Sequence, residues 1–134
     1  LESLAYEKSV TLDTELIESC VIQANEDYLT QIISSLLENA LKYEPKTGKV
    51  LLKLAQDKHK TYICVQNFGT MIAQEDLPHV FDRFYRSDKS RTNETESFGL
   101  GLAITREMVN KIHGEISVTS NPQEGTIFTI TFQR

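Results

Sequence analysis

The sequence predicts a two-layer α/β sandwich, in which a mixed, mostly antiparallel sheet of about five or six strands packs on about three helices. Short alternating apolar segments occur in pairs, and longer segments with helical periodicity separate the pairs. Helices kept on one side of a mixed sheet explain this order better than a doubly wound parallel sheet does. The 134 residues are predicted to form a single domain, 1–134, and 40% hydrophobic with 25% charged residues suffice to bury one core.

The first half of the chain is expected to contain two short strands and the longest helix. Alternation over residues 9–16 predicts one strand, and the apolar run at 20–24 predicts a second. Asn25 is the predicted helix N-cap, and the helix that follows extends to Tyr43, shortly before Pro45. Its apolar residues recur at helical spacing: Leu29, Ile32, Ile33, Leu36, Leu37 and Ala40.

The second half is expected to contain four strands, a loop region and a second long helix. Residues 49–55 and 61–65 form a predicted hairpin, and 73–81 indicates a short helix or two around Pro78. The polar segment 87–97 has no apolar periodicity, which indicates a mobile loop. The last predicted elements are an amphipathic helix over 100–112, ending at His113-Gly114, and two strands at 115–119 and 126–132, joined by a turn-forming cluster at 121–125.

The composition excludes several classes of function. A net charge of −5 argues against nonspecific binding to nucleic acid, which needs a dense basic surface. Cys20 and Cys64 lie far apart without a CxxC pair, so neither a zinc site nor a redox motif is indicated, and both are predicted to be core thiols. Because no signal peptide and no apolar stretch long enough to span a bilayer is visible, this part of the protein is expected to be soluble.

Three segments carry residues suited to nucleotide chemistry, and the first, Glu38–Tyr43, ends the long helix. Asn39 shares one helical face with Ser35 and Lys42. The amide oxygen of Asn39 suits a magnesium ion, the Lys42 amine can approach phosphate oxygens, and the Tyr43 ring can lie against a nucleobase or ribose. By itself the segment is also compatible with a solvated helix end.

The other two segments place glycine at a strand end and at a helix start. Asn67–Ile72 follows a strand, where Gly69 permits close approach of a ligand and the asparagine amide can both accept from and donate to an adenine. Phe98–Ile104 places Gly99 and Gly101 at a helix start, where unpaired backbone N–H groups favour phosphate. Each segment alone is also compatible with a strand-ending turn or a structural helix entry.

Together the segments resemble the histidine-kinase ATP-binding family, within the superfamily that also contains DNA gyrase and mismatch-repair ATPases. The resemblance covers almost the whole chain, with five motifs in the family's order and at its spacing. These are an asparagine box at Leu36–Tyr43, a first glycine box at Asn67–Ile72, a phenylalanine box at Phe81–Arg86, a second glycine box at Gly99–Ile104 and a last glycine box at Gly125–Thr126.

The resemblance implies roles for individual residues. Asn39 would be the magnesium ligand and, with Lys42 and Arg86 on the phosphates, would form the catalytic set. Phe81 and Phe84 would anchor a lid over about residues 87–98, whose closure excludes water. The implied nucleotide-binding residues are Asn39, Lys42, Tyr43, Asn67 (on adenine), Gly69, Met71, Ile72, Phe84, Arg86, Gly99, Leu100, Gly101, Leu102 and Thr126.

Four positions depart from the family pattern. Asn67 stands for the usual aspartate, Met71 for the second glycine of that box, Ser35 for an earlier asparagine and Ser97 for a leading glycine. Asn67 keeps an acceptor oxygen but lacks the charge, so adenine affinity is expected to be weaker by roughly 1 kcal/mol. Met71 either packs against adenine or narrows the pocket. Glu38 either takes part in metal binding or proton transfer or is an exposed helix charge.

The histidines indicate where the phosphate acceptor lies. None of His59, His79 and His113 stands in the His-Glu or His-Asp context of the family's acceptor, so all three are expected to be structural or solvated. The resemblance therefore implies the ATP-binding half of a two-component sensor histidine kinase. Such a domain binds Mg²⁺-ATP and donates the γ-phosphate to a histidine on a separate dimerisation hairpin, for onward transfer to a response regulator.

This assignment carries further expectations. The fragment would be cytoplasmic, monomeric and inactive alone, and the parent protein would be a homodimer anchored in the membrane, with its phosphoacceptor and sensor domains elsewhere. Two alternatives stay open. One is a nucleotide-responsive interaction module that has lost turnover through the residues at positions 35, 67 and 71. The other is a serine kinase of the anti-sigma-factor type, which shares the fold.

Overall fold

The computed structural model describes residues 11–16, 25–43, 48–69, 71–83 and 101–133, and for 11–16 and Tyr43 it describes the backbone alone. The predicted strand at 20–24 and the predicted loop at 87–97 lie outside these ranges. The elements are β1 Thr11–Leu16, α1 Glu26–Tyr43, β2 Lys49–Gln56, β3 Lys60–Asn67, a 3₁₀ turn Leu77–His79, α2 Gly101–Lys111, β4 Glu115–Asn121 and β5 Gly125–Gln133.

The five described strands form one sheet in the order β1-β2-β3-β5-β4. β1 runs parallel to β2, and all other neighbouring strands are antiparallel. The mixed, mostly antiparallel sheet is thus confirmed. Of the helices predicted, the described ranges contain two α-helices, and the segment around Pro78 is a single 3₁₀ turn. The order also places β5, the last strand, between β3 and β4.

The core lies on one face of the sheet, and both helices cover it. Along β3, residues Thr61, Ile63, Val65 and Asn67 are buried and alternate with half-buried ones, because successive side chains of a strand point to opposite faces. The buried apolar cluster joins all these elements: Ile32, Leu36, Leu37, Ala40 and Leu41 of α1, Val50, Ile63, Val65, Phe128, Ile130 and Phe132 of the sheet, Val80, and Leu102 and Val109 of α2. This is the predicted two-layer arrangement.

The helix ends follow the sequence signals. The side-chain oxygen of Asn25 accepts the backbone N–H of Tyr28 at 3.1 Å, which confirms the predicted N-cap of α1. At the end of α2 the chain turns through His113, whose φ is 64°, and Gly114 N–H donates to the Val109 carbonyl at 3.0 Å. A Cβ on Gly114 would lie 2.8 Å from a ring atom of Phe132, so the glycine is required by packing while the histidine adopts the left-handed conformation.

Cys64 does not lie in this core, so its prediction as a core thiol was wrong. It belongs to the alternate positions of β3, is half-buried, and its Sγ lies 3.7 Å from the Thr129 hydroxyl oxygen on the face of the sheet opposite the helices. The physical reason is register, because a strand that buries Ile63 and Val65 must direct the residue between them to the other face. Cys20 lies outside the described ranges.

The turn between β2 and β3 is built on Asp57. One carboxylate oxygen accepts the backbone N–H groups of His59 and Lys60 at 2.8 and 2.7 Å, and the other accepts the Tyr62 hydroxyl at 3.0 Å. These hydrogen bonds hold the pKa of Asp57 below its ordinary value of 3.8, and those from the His59 and Lys60 backbone have the largest effect. The predicted hairpin is therefore closed by an aspartate turn.

We expect Asp57→Asn to lower the free energy of unfolding at neutral pH, by an amount that becomes smaller in acid. The native pKa is depressed, so the carboxylate stabilises the fold fully above its ordinary pKa, and this contribution is lost as the pH falls through the native value. Urea unfolding at neutral pH and at one acid pH below 3.8 measures how far this deficit decreases. Glu75→Gln, at an exposed position, is the control. An equal deficit for Asp57→Asn at both pH values would contradict the assignment.

Candidate functional site

A row of buried polar residues crosses the end of the sheet on the face that the helices cover. Asn67 of β3 is opposite Thr126 of β5, which in turn is opposite Ser120 of β4. Their exposed fractions are 4%, 3% and 5%. The next residues inward on these strands are apolar, and Val50 of β2, the neighbour of Asn67 on the other side, is fully buried. Three adjacent polar residues at the edge of an apolar core mark this end of the sheet as the candidate site.

Ser120 connects this row to the segment that follows β3. Its hydroxyl oxygen accepts the backbone N–H of Ile72 at 2.8 Å and shares a hydrogen bond of 2.9 Å with the Thr126 hydroxyl. The Gln74 amide donates to the Ser120 carbonyl at 3.4 Å. The residues after Asn67 are thereby held against β4 and β5.

Gly125 allows the first residue of β5 to approach the end of β3 closely. Its φ is 72°, a conformation that favours glycine, and a Cβ there would lie 2.1 Å from the Asn67 carbonyl oxygen and 2.8 Å from the Phe68 Cα. Because both obstructing atoms belong to backbone, a side-chain rotation cannot relieve the clash. The last glycine box therefore fixes the backbone position of Asn67.

Two large apolar side chains border the polar row. Phe68 is 41% exposed and Met71 is 50% exposed, while Ile72 between the row and Met71 is half-buried. The Lys49 amine lies 5.6 Å from the centroid of the Phe68 ring, within range of a cation–π contact. Buried polar groups beside exposed apolar surface suit a flat heterocycle with polar edges.

The predicted phosphate and metal residues lie on the two helices. Asn39 is half-buried near the end of α1, and Lys42 is exposed in its last turn. Gly101, the first residue of α2, is exposed, and a Cβ there would meet no atom within 4 Å. Leu102, in contrast, is buried in the core, which anchors the start of the helix. Glu38 is exposed and Ser35 is half-buried.

The start of the phenylalanine box is fixed to β5 and α2. Phe81 packs edge to face on Phe128, with ring centroids 6.0 Å apart, and the Arg106 guanidinium lies 5.9 Å from the Phe81 ring. Arg83 donates to the Glu107 carboxylate at 2.8 Å, and this contact lowers the pKa of Glu107. The lid that Phe81 is expected to anchor lies outside the described residues.

The structure brings together only part of the predicted set. Ile72 and Thr126 both contact Ser120, and Asn67 is the cross-strand neighbour of Thr126. Gly69 and Met71 belong to the segment between Asn67 and Ile72. Phe84, Arg86, Gly99 and Leu100 lie outside the described residues, as does Ser97. The histidines show no common site: His79 pairs with Asp82 at 2.9 Å on the surface, and His59 and His113 are exposed.

Ser120 was missed by the motif-based prediction. Its signal was the alternation of β4, in which Ile116 and Val118 occupy the positions facing the helices and the next such position holds a serine. A small polar residue on a core-facing position needs a hydrogen-bonding partner, but the sequence does not show which one. That partner depends on the pairing of β4 with β5.

Fold and site together define an α/β-sandwich domain of the nucleotide-binding class, and comparison with known proteins agrees with this class. Residues 24–134 match the family described as "Histidine kinase-, DNA gyrase B-, and HSP90-like ATPase". The chain belongs to this family. Sensor histidine kinase YkoH of Bacillus subtilis is 34% identical over 95% of this chain and 27% of its own length. The chain spans about a quarter of the length of such curated relatives.

Solved structures agree with the fold. The mycobacterial sensor histidine kinase MprB matches with a TM-score of 0.82 and 27% identity, over 98% of this chain and 89% of that one. Histidine kinase ThkA, in complex with the response regulator protein TrrA, matches with a TM-score of 0.78 and 22% identity, over 98% of this chain and 36% of that one. Neither α1 nor α2, the two α-helices in the described ranges, is long and apolar enough to cross a membrane.

Proposed function

We propose that this chain is the ATP-binding catalytic domain of a two-component sensor histidine kinase. The observation that carries the proposal is the buried row of Asn67, Thr126 and Ser120. Gly125 packs closely against the Asn67 backbone at one end of this row. It lies at the first and last glycine boxes of a chain of this ATPase family. A single domain of this kind, 1–134, supplies the phosphate donor and the parent protein supplies the acceptor.

Adenine binds at the end of the sheet that carries the buried polar row. The Asn67 amide oxygen accepts a hydrogen bond from the adenine amino group, and its NH₂ group donates one to a ring nitrogen. Thr126 supplies a hydroxyl beside it, and Phe68 and Met71 offer apolar surface to the ring. The arrangement fits adenine because it combines polar groups at the ring edge with apolar contact at the ring face.

The phosphates of ATP bind between the start of α2 and the last turn of α1. Gly101 at the start of α2 leaves room for close approach to backbone N–H groups, which bind anions together with the helix dipole. Lys42 and Arg86 add positive charge beside the phosphates. Tyr43 packs on the nucleoside. The backbone groups of Gly99, Leu100 and Leu102 also contact the phosphates. The amide oxygen of Asn39 is a hard ligand of the kind that Mg²⁺ accepts, and the ion would neutralise charge on the phosphates.

The residues of this domain position ATP and leave the transfer to a separate acceptor. Phosphoryl transfer needs in-line approach and charge neutralisation more than covalent chemistry from the donor domain. None of the three histidines has the sequence context of an acceptor. The acceptor is therefore a histidine on the dimerisation hairpin of the same kinase, in a homodimeric, membrane-anchored parent with this domain in the cytoplasm.

The relatives favour this function over the two alternatives. YkoH is named a sensor histidine kinase, and ThkA is a histidine kinase bound to a response regulator. We therefore propose that the phosphate passes from the acceptor histidine to the receiver domain of a response regulator. A serine kinase of the anti-sigma-factor type and an inactive interaction module share the fold but find no support in these names.

The binding half of the proposal is tested by isothermal titration of the chain with ADP and magnesium. We expect saturable heat at micromolar to millimolar nucleotide, roughly −4 to −8 kcal/mol in free energy, with negligible turnover of ATP. A thermal shift measured in parallel reports the same binding through linkage. Absence of both heat and thermal shift at millimolar ADP would sink the proposal.

Asn67→Asp is expected to strengthen ADP binding about fivefold. A carboxylate accepts a charge-assisted hydrogen bond from the adenine amino group, which is worth roughly 1 kcal/mol more than the neutral bond. The same titration measures the gain, and Asn110→Asp, at an exposed position of α2, controls for the added negative charge. Equal affinity of Asn67→Asp and the native chain would remove Asn67 from the base site.

A further inference from the structure

We infer that Ser120 is a positioning residue of the base site, whose hydroxyl holds the Ile72 backbone and the Thr126 hydroxyl in the places where they receive the nucleobase. This inference rests on the proposed function, since it concerns how that site is built. It goes beyond the motifs, because Ser120 belongs to none of the five boxes and lies on β4, a strand to which no box contributes.

The first step is the geometry around the Ser120 hydroxyl. The oxygen accepts Ile72 N–H at 2.8 Å and lies 2.9 Å from the Thr126 hydroxyl oxygen. A serine hydroxyl has one proton and two lone pairs, so a single atom can serve both partners. Ser120 thus connects the first glycine box, through Ile72, with the last, through Thr126.

The second step is burial. Ser120 and Thr126 are 5% and 3% exposed, so water has little access to replace a hydroxyl that is removed. In Ser120→Ala the Ile72 N–H would lose its acceptor, and Thr126 would lose a hydrogen-bonding neighbour. The cost therefore falls on two groups at once, and one of them, Thr126, is the cross-strand neighbour of Asn67.

The third step is the state of the segment that Ser120 holds. Residues 71–73 have no regular secondary structure, and Met71 is half exposed. The Ile72 hydrogen bond and the Gln74 contact with the Ser120 carbonyl attach this segment to β4. A segment that is already ordered binds its ligand at a lower entropic cost, so loss of the hydroxyl weakens binding through pre-organisation.

The test compares ADP affinity and amide exchange in four proteins. We expect Ser120→Ala to weaken ADP binding about tenfold and Ser120→Thr, which keeps the hydroxyl, to restore most of it. Ser117→Ala, an exposed serine of the same strand, should bind as the native chain does. In the nucleotide-free protein, the Ile72 amide should exchange faster with solvent in Ser120→Ala alone.

Coupling to Thr126 gives a second and independent measurement. Thr126→Val keeps the side-chain shape and removes the hydroxyl that shares a hydrogen bond with Ser120. We expect the double variant Ser120→Ala/Thr126→Val to lose less affinity than the two single losses combined, because both changes break the same hydrogen bond.

The outcomes separate this inference from the function on which it rests. If the native chain binds no ADP, the proposed function fails. If the native chain binds and Ser120→Ala binds equally well with an unchanged Ile72 amide, only the role of Ser120 is overturned. Strictly additive losses at positions 120 and 126 would likewise overturn it, and additional weakening by Ser117→Ala would attribute the effect to β4 as a whole.

Discussion

Gly125→Ala should lower the free energy of unfolding by at least roughly 3 kcal/mol, a large part of the stability of a small domain. The left-handed conformation of this residue, with φ at 72°, costs an alanine roughly 1–2 kcal/mol. The new Cβ would also lie 2.1 Å from the Asn67 carbonyl oxygen, so β5 and the end of β3 must separate. Thermal unfolding should show a midpoint lowered by roughly 10 °C or more.

Gly101→Ala is the matched control for this prediction. The same substitution at Gly101 meets no atom within 4 Å and lies in the first turn of α2. Alanine favours the helix there, so we expect a neutral or stabilising effect of up to about 1 kcal/mol. A similar decrease in the free energy of unfolding for both variants would contradict the prediction that a Cβ at position 125 clashes with the Asn67 backbone.

Asn39→Ala should lower phosphate transfer in the full-length kinase by at least about a hundredfold. If Asn39 supplies an oxygen ligand to Mg²⁺, its removal leaves charge on the phosphates uncompensated where the transfer takes place. Radiolabelled phosphate incorporated into the kinase from γ-labelled ATP at saturating magnesium measures the rate. Titration with ADP in the absence of magnesium should show nearly native affinity, because the proposed base site at Asn67 and Thr126 does not include Asn39.

Asn110→Ala provides the control for the loss of an asparagine. Asn110 is exposed near the end of α2, about 13 Å along the helix from Gly101. Its replacement should leave phosphate transfer unchanged. Circular dichroism must show that Asn39→Ala is folded, since Asn39 is half-buried. A folded Asn39→Ala protein that transfers phosphate at the native rate would exclude Asn39 as the metal ligand.

Local patterns in the sequence were sufficient to predict the helices and strands and to indicate a candidate site. Helical spacing predicted α1 with its cap at Asn25, and alternation predicted β2 to β5 within a few residues. Glycine and asparagine at strand and helix ends indicated the boxes, since these residues are needed where a backbone must admit a ligand. Such signals are local, so they survive without knowledge of the fold.

Long-range pairing was beyond the sequence and was decided by the tertiary structure. Periodicity shows which face of a strand is buried, but not which strand lies beside it. Only the order β3-β5-β4 brings Asn67, Thr126 and Ser120 into one row, and only that pairing shows why Gly125 must be glycine. The same register directs Cys64 away from the core. The sequence by itself thus determined the elements and the boxes, whereas packing of distant strands decided which residues meet, because hydrogen bonds between strands are specified by the whole sheet.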